Sequence, residues 1–137
     1  MTWRELRNHL KGKVFLIGLT FVDQEGKVME VYQTHGTVSK LTVDGFFKIR
    51  RADNSIFTIP YNRDTIKAAK EGEYREKTTG EIIKNPDFIM TWEVKTATQD
   101  KLEDIKKNGY TPTFDYSETQ QPQRADEDEL VENGLEL

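Results

Sequence analysis

Apolar and polar residues alternate along most of the chain, and a period of two residues is typical of β-strands with one buried face. The alternation is clearest from residue 88 to residue 95, where Phe88, Met90, Trp92 and Val94 share one face. Further segments that favour strands are residues 14–22, 27–43, 46–51 and 56–59, with shorter ones at 73–77 and 81–83. Turn-forming residues such as Asp44-Gly45 separate them. The pattern therefore predicts a mainly β domain of five to six strands.

A helical period replaces the alternation at each end of the predicted strands. Thr2 and Glu5 have the spacing of a capping box. Three apolar residues then fall on one stripe of a short helix, namely Trp3, Leu6 and Leu10. Thr98 is the predicted N-cap of a second, polar helix over residues 99–107. A single helical turn is also predicted over residues 64–70.

Two glycines interrupt the strand-like segments. Gly18 lies inside residues 14–22, and an interior glycine often marks a sharp bend or a close approach of two backbones. Near Gly36 the apolar residues move from odd to even positions, which predicts a β-bulge or bend. Short strands, tight turns and a helix at each end together favour a small SH3-like or Sm-like barrel. An OB-fold is the alternative architecture.

Charge is divided unevenly along the 137 residues. Residues 110–137 contain eight acidic residues and one basic residue, a net charge of -7, which leaves 19 basic and 16 acidic residues, or +3, in residues 1–109. Low hydrophobicity combined with excess charge favours disorder. We therefore expect a β-barrel domain with flanking helices over residues 1–109 and a disordered acidic tail over residues 110–137.

Several kinds of chemistry lack the residues that they need. The chain has no cysteine, and its two histidines, His9 and His35, have no second ligand at metal-binding spacing. Thiolate zinc sites and cysteine nucleophiles are thus excluded, and we expect no metal and no cofactor. No apolar segment approaches the length of a membrane-spanning helix. Charged residues within the first seven positions occupy the place of a signal peptide's apolar region, so the expected location is the cytoplasm.

Residues 13–96 carry a set of short motifs. They are Gly72-Glu73-Tyr74-Arg75, Thr79-Gly80-Glu81, Asn85-Pro86-Asp87-Phe88 and Thr91-Trp92, together with residues 35–38 and 56–60. This set resembles a recurrent pattern in a family of small bacterial proteins of unknown function. The resemblance implies a bacterial origin and a self-contained β domain, and it carries no activity with it. Independently of the resemblance, Arg75 is expected to pair with Glu81 across a hairpin closed at Thr79-Gly80.

The composition favours a non-enzymatic cytoplasmic binding module that recognises a protein partner, for example an accessory or immunity-type protein. The acidic tail mixes its charges with the spaced apolar residues Leu130, Val131 and Leu135, which is the composition of a short linear motif. Its natural target is a basic groove of a partner, or the body's own surface at Lys48, Arg50 and Arg51. The sequence does not identify the partner.

Two alternative functions depend on different residues. The first is a single-stranded nucleic-acid-binding barrel, because Phe46 beside Lys48, Arg50 and Arg51 combines a stacking surface with phosphate-binding charges. The second is a small enzyme with a site near His35, which requires a deep polar pocket there. Ser39 lies about 13 Å along the strand from His35, too far for a nucleophile and its base.

Overall fold

A computed structural model of the chain describes residues 2–96 and 98–112. Its regular elements are α1 (Trp3–Leu10), β1 (Val14–Val22), β2 (Val28–Leu41), β3 (Phe46–Arg50), β4 (Ile56–Pro60), β5 (Ile66–Ala68), β6 (Glu73–Arg75), β7 (Ile82–Lys84), β8 (Phe88–Lys95) and α2 (Gln99–Asn108). The chain is therefore mainly β in the described part, as the alternation predicts, but with eight strands instead of five to six.

Six strands form one sheet in the order β4-β3-β2-β1-β8-β5, and β6 and β7 form a separate two-stranded sheet. The first four strands make an antiparallel meander, whereas β8 lies parallel to β1. Within residues 2–96 and 98–112 the end strands β4 and β5 do not pair with each other, so the sheet remains open. The described structure thus shows an open, mainly antiparallel β-sheet, and the closed SH3-like barrel that the sequence predicts is not confirmed.

The core lies on one face of this sheet, which we call the inner face. Every second residue of β1 is buried there, because the strand period places Phe15, Ile17, Leu19 and Phe21 on the same side. Both helices add to this core; their buried residues are Trp3, Leu6 and Leu10 from α1 and Leu102 and Ile105 from α2. The other face of the sheet, the outer face, remains available for a site.

Both helix starts agree with the prediction. The Thr2 side chain accepts from the Glu5 amide and the Glu5 carboxylate accepts from the Thr2 amide, which is a complete capping box. The Thr98 side chain accepts from the Lys101 amide at the start of α2, and Gly109 follows its last residue. Among the described residues, no helix has the length and apolar character needed to cross a membrane.

The helical turn predicted over residues 64–70 is wrong. A 3-10 turn occupies only Arg63–Thr65, and the following Ile66–Ala68 is strand β5. Ile66 lies opposite Met90 of β8 and is buried. Pairing with a strand more than twenty residues away therefore outweighs the local helical preference of this segment.

Gly18 and Gly36 differ in their surroundings. Gly36 permits a close approach of two strands, since a Cβ atom at this position would lie 2.5 Å from the Arg50 carbonyl oxygen. The bulge predicted near Gly36 lies slightly further along, between Val38 and Lys40. Gly18 lies in an unshifted part of the ladder, and the bend predicted there stays a prediction.

Candidate functional site

The β6–β7 hairpin lies over the outer face of β1, β2 and β8 and encloses a pocket of about 210 Å³. The floor is set by strand register, which places Gly18 between Gln33 of β2 and Thr91 of β8. The remaining lining residues are Leu16, Ile17, Thr34 and Ile89 from the sheet, and Tyr74, Arg75 and Glu76 from the hairpin. Aliphatic side chains thus line the floor and polar side chains the roof.

Gly18 is the residue that keeps the floor of the pocket open. Its φ lies outside the positive range that favours glycine, so the backbone does not require glycine here. A Cβ atom at Gly18 would meet only Thr91 Cγ2, at 3.9 Å, so packing does not require glycine either. Glycine inside a strand is less favourable than alanine by about 0.5–1 kcal/mol. Glycine at position 18 therefore lowers the stability of the strand, and its effect is to leave the floor of the pocket without a side chain.

His35 anchors the hairpin through two carboxylates, and we call these three residues the His35 cluster. Its Nδ1 atom contacts Glu76 Oε2, and its Nε2 atom lies 2.9 Å from Glu81 Oε2. Glu76 is only 6% exposed. Each ring nitrogen of His35 therefore contacts a carboxylate oxygen of a different glutamate. The cluster fastens both ends of the hairpin loop to β2.

Gln33 makes the second attachment of the hairpin. Its backbone N–H donates to Thr78 Oγ1 at 2.9 Å, and its side-chain oxygen accepts from the Lys77 amide at 2.6 Å. Strand β3 pairs with β2 only from Thr37 onwards, so at Gln33 the same side of β2 bonds the hairpin instead. The predicted ion pair between Arg75 and Glu81 is not formed, because Glu81 binds His35 and Arg75 donates to the Gly80 carbonyl. The hairpin is thus held on the sheet by side-chain contacts.

An apolar surface adjoins the pocket on the outer face. Val31 lies opposite Thr20, one step along the sheet from the Gln33–Gly18 pair, and is 58% exposed. Val28 and Met29 continue along β2 and are 55% and 39% exposed. We call Val28, Met29 and Val31 the apolar strip. Pocket and strip together give the outer face an apolar area next to an opening.

The structure separates the partner-binding residues that the sequence predicts. Phe46, Lys48 and Arg50 share the outer face of β3, because Phe47 and Ile49 between them are fully buried. Arg51 does not join them. The other three predicted residues, Leu130, Val131 and Leu135, lie outside the described residues.

Arg51 belongs to the packing of α2. Its guanidinium donates to the Lys106 and Lys107 carbonyl oxygens at the end of the helix and lies 5.0 Å from the ring centroid of Phe57. It also reaches the Tyr32 hydroxyl. The last carbonyl groups of a helix lack partners within the helix, so a cation at this place stabilises it. Arg51 therefore caps the end of α2, and its predicted part in partner binding stays a prediction.

The pocket residues were not predicted from the sequence as a site. Glu76 and Glu81 meet His35 across more than forty positions, and no local pattern reports such a contact. Two signals near the pocket were available: the alternative enzyme hypothesis places a site near His35, and Gly18 is an unusual residue inside an apolar strand, interpreted as a bend or a close approach of two backbones. Among the described residues, no group of three or more histidine, aspartate or glutamate side chains is arranged so that it could hold a metal ion.

Comparison of the chain with family models, with curated proteins and with solved structures finds no match. The resemblance to small bacterial proteins therefore remains a prediction.

Proposed function

We propose that this protein is a non-enzymatic cytoplasmic binding module, and that its pocket accepts one aliphatic side chain of a protein partner. The observation that carries the proposal is Gly18, which leaves the pocket floor open although neither backbone nor packing requires glycine. Residues that lower stability without a structural reason are expected at functional sites.

For the fold we retain the SH3-like or Sm-like barrel, supported by the meander preceded by a helix, with the OB-fold as the alternative.

Pocket size favours a side chain over a free small molecule. Binding sites for drug-sized ligands usually occupy about 300–1,000 Å³, whereas this pocket has about 210 Å³. A buried apolar side chain that fills a pocket is the usual centre of a protein interface. Leu16 and its register partner Ile89, two residues before the Gly18–Thr91 pair, offer such a side chain an aliphatic floor next to Gly18.

The apolar strip supplies the surface around this central contact. Val28 and Val31 expose more than half of their area in the described chain, and Val31 lies two residues along β2 from Gln33, which lines the pocket. An exposed apolar patch next to a cavity is typical of a protein-binding surface. We therefore assign the partner an apolar segment that covers the strip and inserts one leucine-like or isoleucine-like residue beneath the hairpin.

Binding peptides selected on the full-length protein test this proposal. A random peptide library displayed on phage is selected on the wild-type protein, and the affinity of the enriched peptides is measured by calorimetry. The expected result is an aliphatic residue at one fixed position. Gly18→Val fills the pocket and should weaken binding by about thirtyfold or more, the effect of losing a contact worth 2 kcal/mol. Gly18→Ala should weaken it less.

Thr20→Val is the matched control, because Thr20 lies on the same face of β1, two residues from Gly18, and does not line the pocket. It should leave affinity within about threefold of wild type, since surface changes near a central contact have small effects. Thermal melting of Gly18→Ala should show equal or higher stability than wild type. Enriched peptides that bind Gly18→Val as tightly as wild type, or no enrichment at all, would refute the proposal.

One observation favours a small enzyme as a second candidate. Glu76 lines the pocket and is bonded to His35, a pair that could move a proton to or from a bound group. Both ring nitrogens of His35 already have partners, however, which favours a role in holding the hairpin. Glu76→Gln separates the two candidates: recognition of an aliphatic side chain survives this nearly isosteric change, whereas proton transfer through Glu76 is abolished.

A further inference from the structure

The outer face of β2 and β3 carries a second surface, away from the pocket. We define the basic patch as Lys40, Lys48 and Arg50. Strand register places Lys40 directly opposite Lys48, and Thr58 of β4 lies on the other side of Lys48. Arg50 follows two residues later on the same face and is exposed. Three cations thus lie on two neighbouring strands.

This arrangement is unfavourable for the fold. Like charges directly opposite each other on antiparallel strands destabilise the pair. Within the described residues none of the three cations takes part in an ion pair, and Lys48 Nζ donates only to the Thr58 hydroxyl, at 3.1 Å. An acidic neighbour at either cross-strand position would remove the repulsion, yet the chain places lysine and threonine there. The patch therefore lacks an anion.

We propose that the basic patch binds the acidic segment of the same chain, residues 126–129. This segment has four consecutive acids, Asp126-Glu127-Asp128-Glu129, and the chain has no longer run of one charge sign. Each carboxylate accepts hydrogen bonds that lysine and arginine donate, and such charge-assisted bonds are stronger than neutral ones. Charge complementarity therefore favours this segment, over the rest of the chain, as the occupant of the basic patch.

The connecting chain is long enough. Pro112 is the last described residue, and the thirteen residues 113–125 separate it from the acidic segment. Thirteen residues span up to about 45 Å, compared with a radius of gyration of about 13 Å for a domain of this size. A tether of this length gives an effective concentration in the millimolar range, so a weak ionic contact within one molecule is well populated.

A nucleic acid is the competing occupant, and the patch suits it less well. Three cations and the half-buried Phe46 provide few phosphate contacts and one aromatic ring, because Arg51 is used at the end of α2. Single-stranded nucleic-acid binders combine a longer cationic groove with several stacking rings. The eight acids of residues 110–137 moreover belong to the same chain as the patch, whereas a nucleic acid must bind from solution.

Paramagnetic broadening on the full-length chain tests the contact. The chain contains no cysteine, so Ala125→Cys gives a single attachment site for a nitroxide label beside the acidic segment. The expected result at about 0.01 M salt is loss of amide signal intensity at Lys40, Lys48 and Arg50. At about 1 M salt, where the Debye length falls from about 30 Å to about 3 Å, the intensity should return.

Two variants remove the same charge from different places. Replacing Lys40, Lys48 and Arg50 by glutamine should abolish the broadening around the patch, whereas replacing the exposed Lys67, Lys70 and Lys101 by glutamine should leave it unchanged. Replacing the four acids by asparagine and glutamine should abolish it as well. Broadening of the patch that survives the replacement of Lys40, Lys48 and Arg50, or the replacement of the four acids, would overturn the proposal. Broadening that is equally strong across the whole surface would overturn it as well.

A mixed sample identifies the molecule that supplies the acids. Chain that carries the nitroxide label but no nitrogen-15 is mixed with nitrogen-15 chain that carries no nitroxide. An intramolecular contact gives no broadening in this mixture. Broadening of the patch in the mixture would overturn the proposal in favour of contact between two copies. Patch amides that shift on addition of oligothymidylate, with no broadening from the label, would overturn it in favour of a nucleic acid. None of these results depends on the Gly18 pocket.

Discussion

Arg50 and Arg51 are neighbours in sequence with opposite surroundings, and this allows a closely matched test of stability. Arg50 is exposed on the outer face of β3. Arg51 is half buried and connects the β3–β4 turn to the end of α2 through Ser55, Tyr32 and the helix carbonyl groups. Replacing each by alanine removes the same side chain and the same charge. Only Arg51→Ala removes a cap from the helix.

The expected loss follows from the contacts of Arg51. Hydrogen bonds from a charged donor contribute about 1.5–3 kcal/mol each when buried. The two carbonyl acceptors lie at a partly exposed helix end, where water replaces the donor, so about 1 kcal/mol for each is appropriate. The cation over the Phe57 ring adds about 0.5–1 kcal/mol. We expect Arg51→Ala to lower the free energy of unfolding by about 3 kcal/mol.

Urea unfolding followed by circular dichroism measures the difference. Arg50→Ala should change the free energy of unfolding by less than about 0.5 kcal/mol, as for surface residues without partners. For a domain of this size Arg51→Ala should lower Tm by about 12 °C, at about 4 °C per kcal/mol. Arg51→Lys should fall between the two, because lysine keeps the charge without the planar fork. Equal stability of Arg50→Ala and Arg51→Ala would refute the capping role of Arg51.

Three further outcomes follow from other contacts. Gly36→Ala places a Cβ atom within 3 Å of β3, and chemical denaturation should show a free energy of unfolding lower by about 2 kcal/mol or more. Gly18→Ala should cause no such loss. Equal losses in the two variants would contradict the different packing of the two glycines. His35→Ala should speed hydrogen exchange at residues 76–81 without changing residues 15–21, and unchanged exchange there would disprove the anchoring by His35. Burial raises the pKa of Tyr61 to about 12. The folded state therefore favours the neutral phenol, and its contribution, complete below about pH 10, is lost as pH rises towards 12. Tyr61→Phe should remove a late step from the ultraviolet phenolate titration, and a step lost near pH 10 would contradict this.

Elements that depend on neighbouring residues were predictable from the sequence. The capping box of α1 and the N-cap of α2 involve residues within three positions of each other, so the spacing of Thr2 and Glu5 and the place of Thr98 were sufficient. The strands of the meander follow from the alternation of buried and exposed residues, which the sequence records directly.

Contacts between distant segments were not predictable in this way. Strand β5 forms because β8 offers Ile66 a partner, and the local sequence of residues 64–70 favours a helical turn instead. The His35 cluster joins β2 to a hairpin about forty residues later. Periodicity reports which face of a strand is buried, but it does not report which strand or hairpin lies beside it.

The sequence by itself determined the class of the domain, its helix ends and the uneven charge between residues 1–109 and 110–137. Only the tertiary structure decided what each unusual residue does. Gly18 opens a pocket and Gly36 allows a close strand approach, although both are glycines inside apolar strands. Arg51 caps a helix and Arg50 faces outward, although they are adjacent. The physical reason is the same in both cases: a residue's role depends on the atoms within about 4 Å of it, and folding brings most of those atoms from distant parts of the chain.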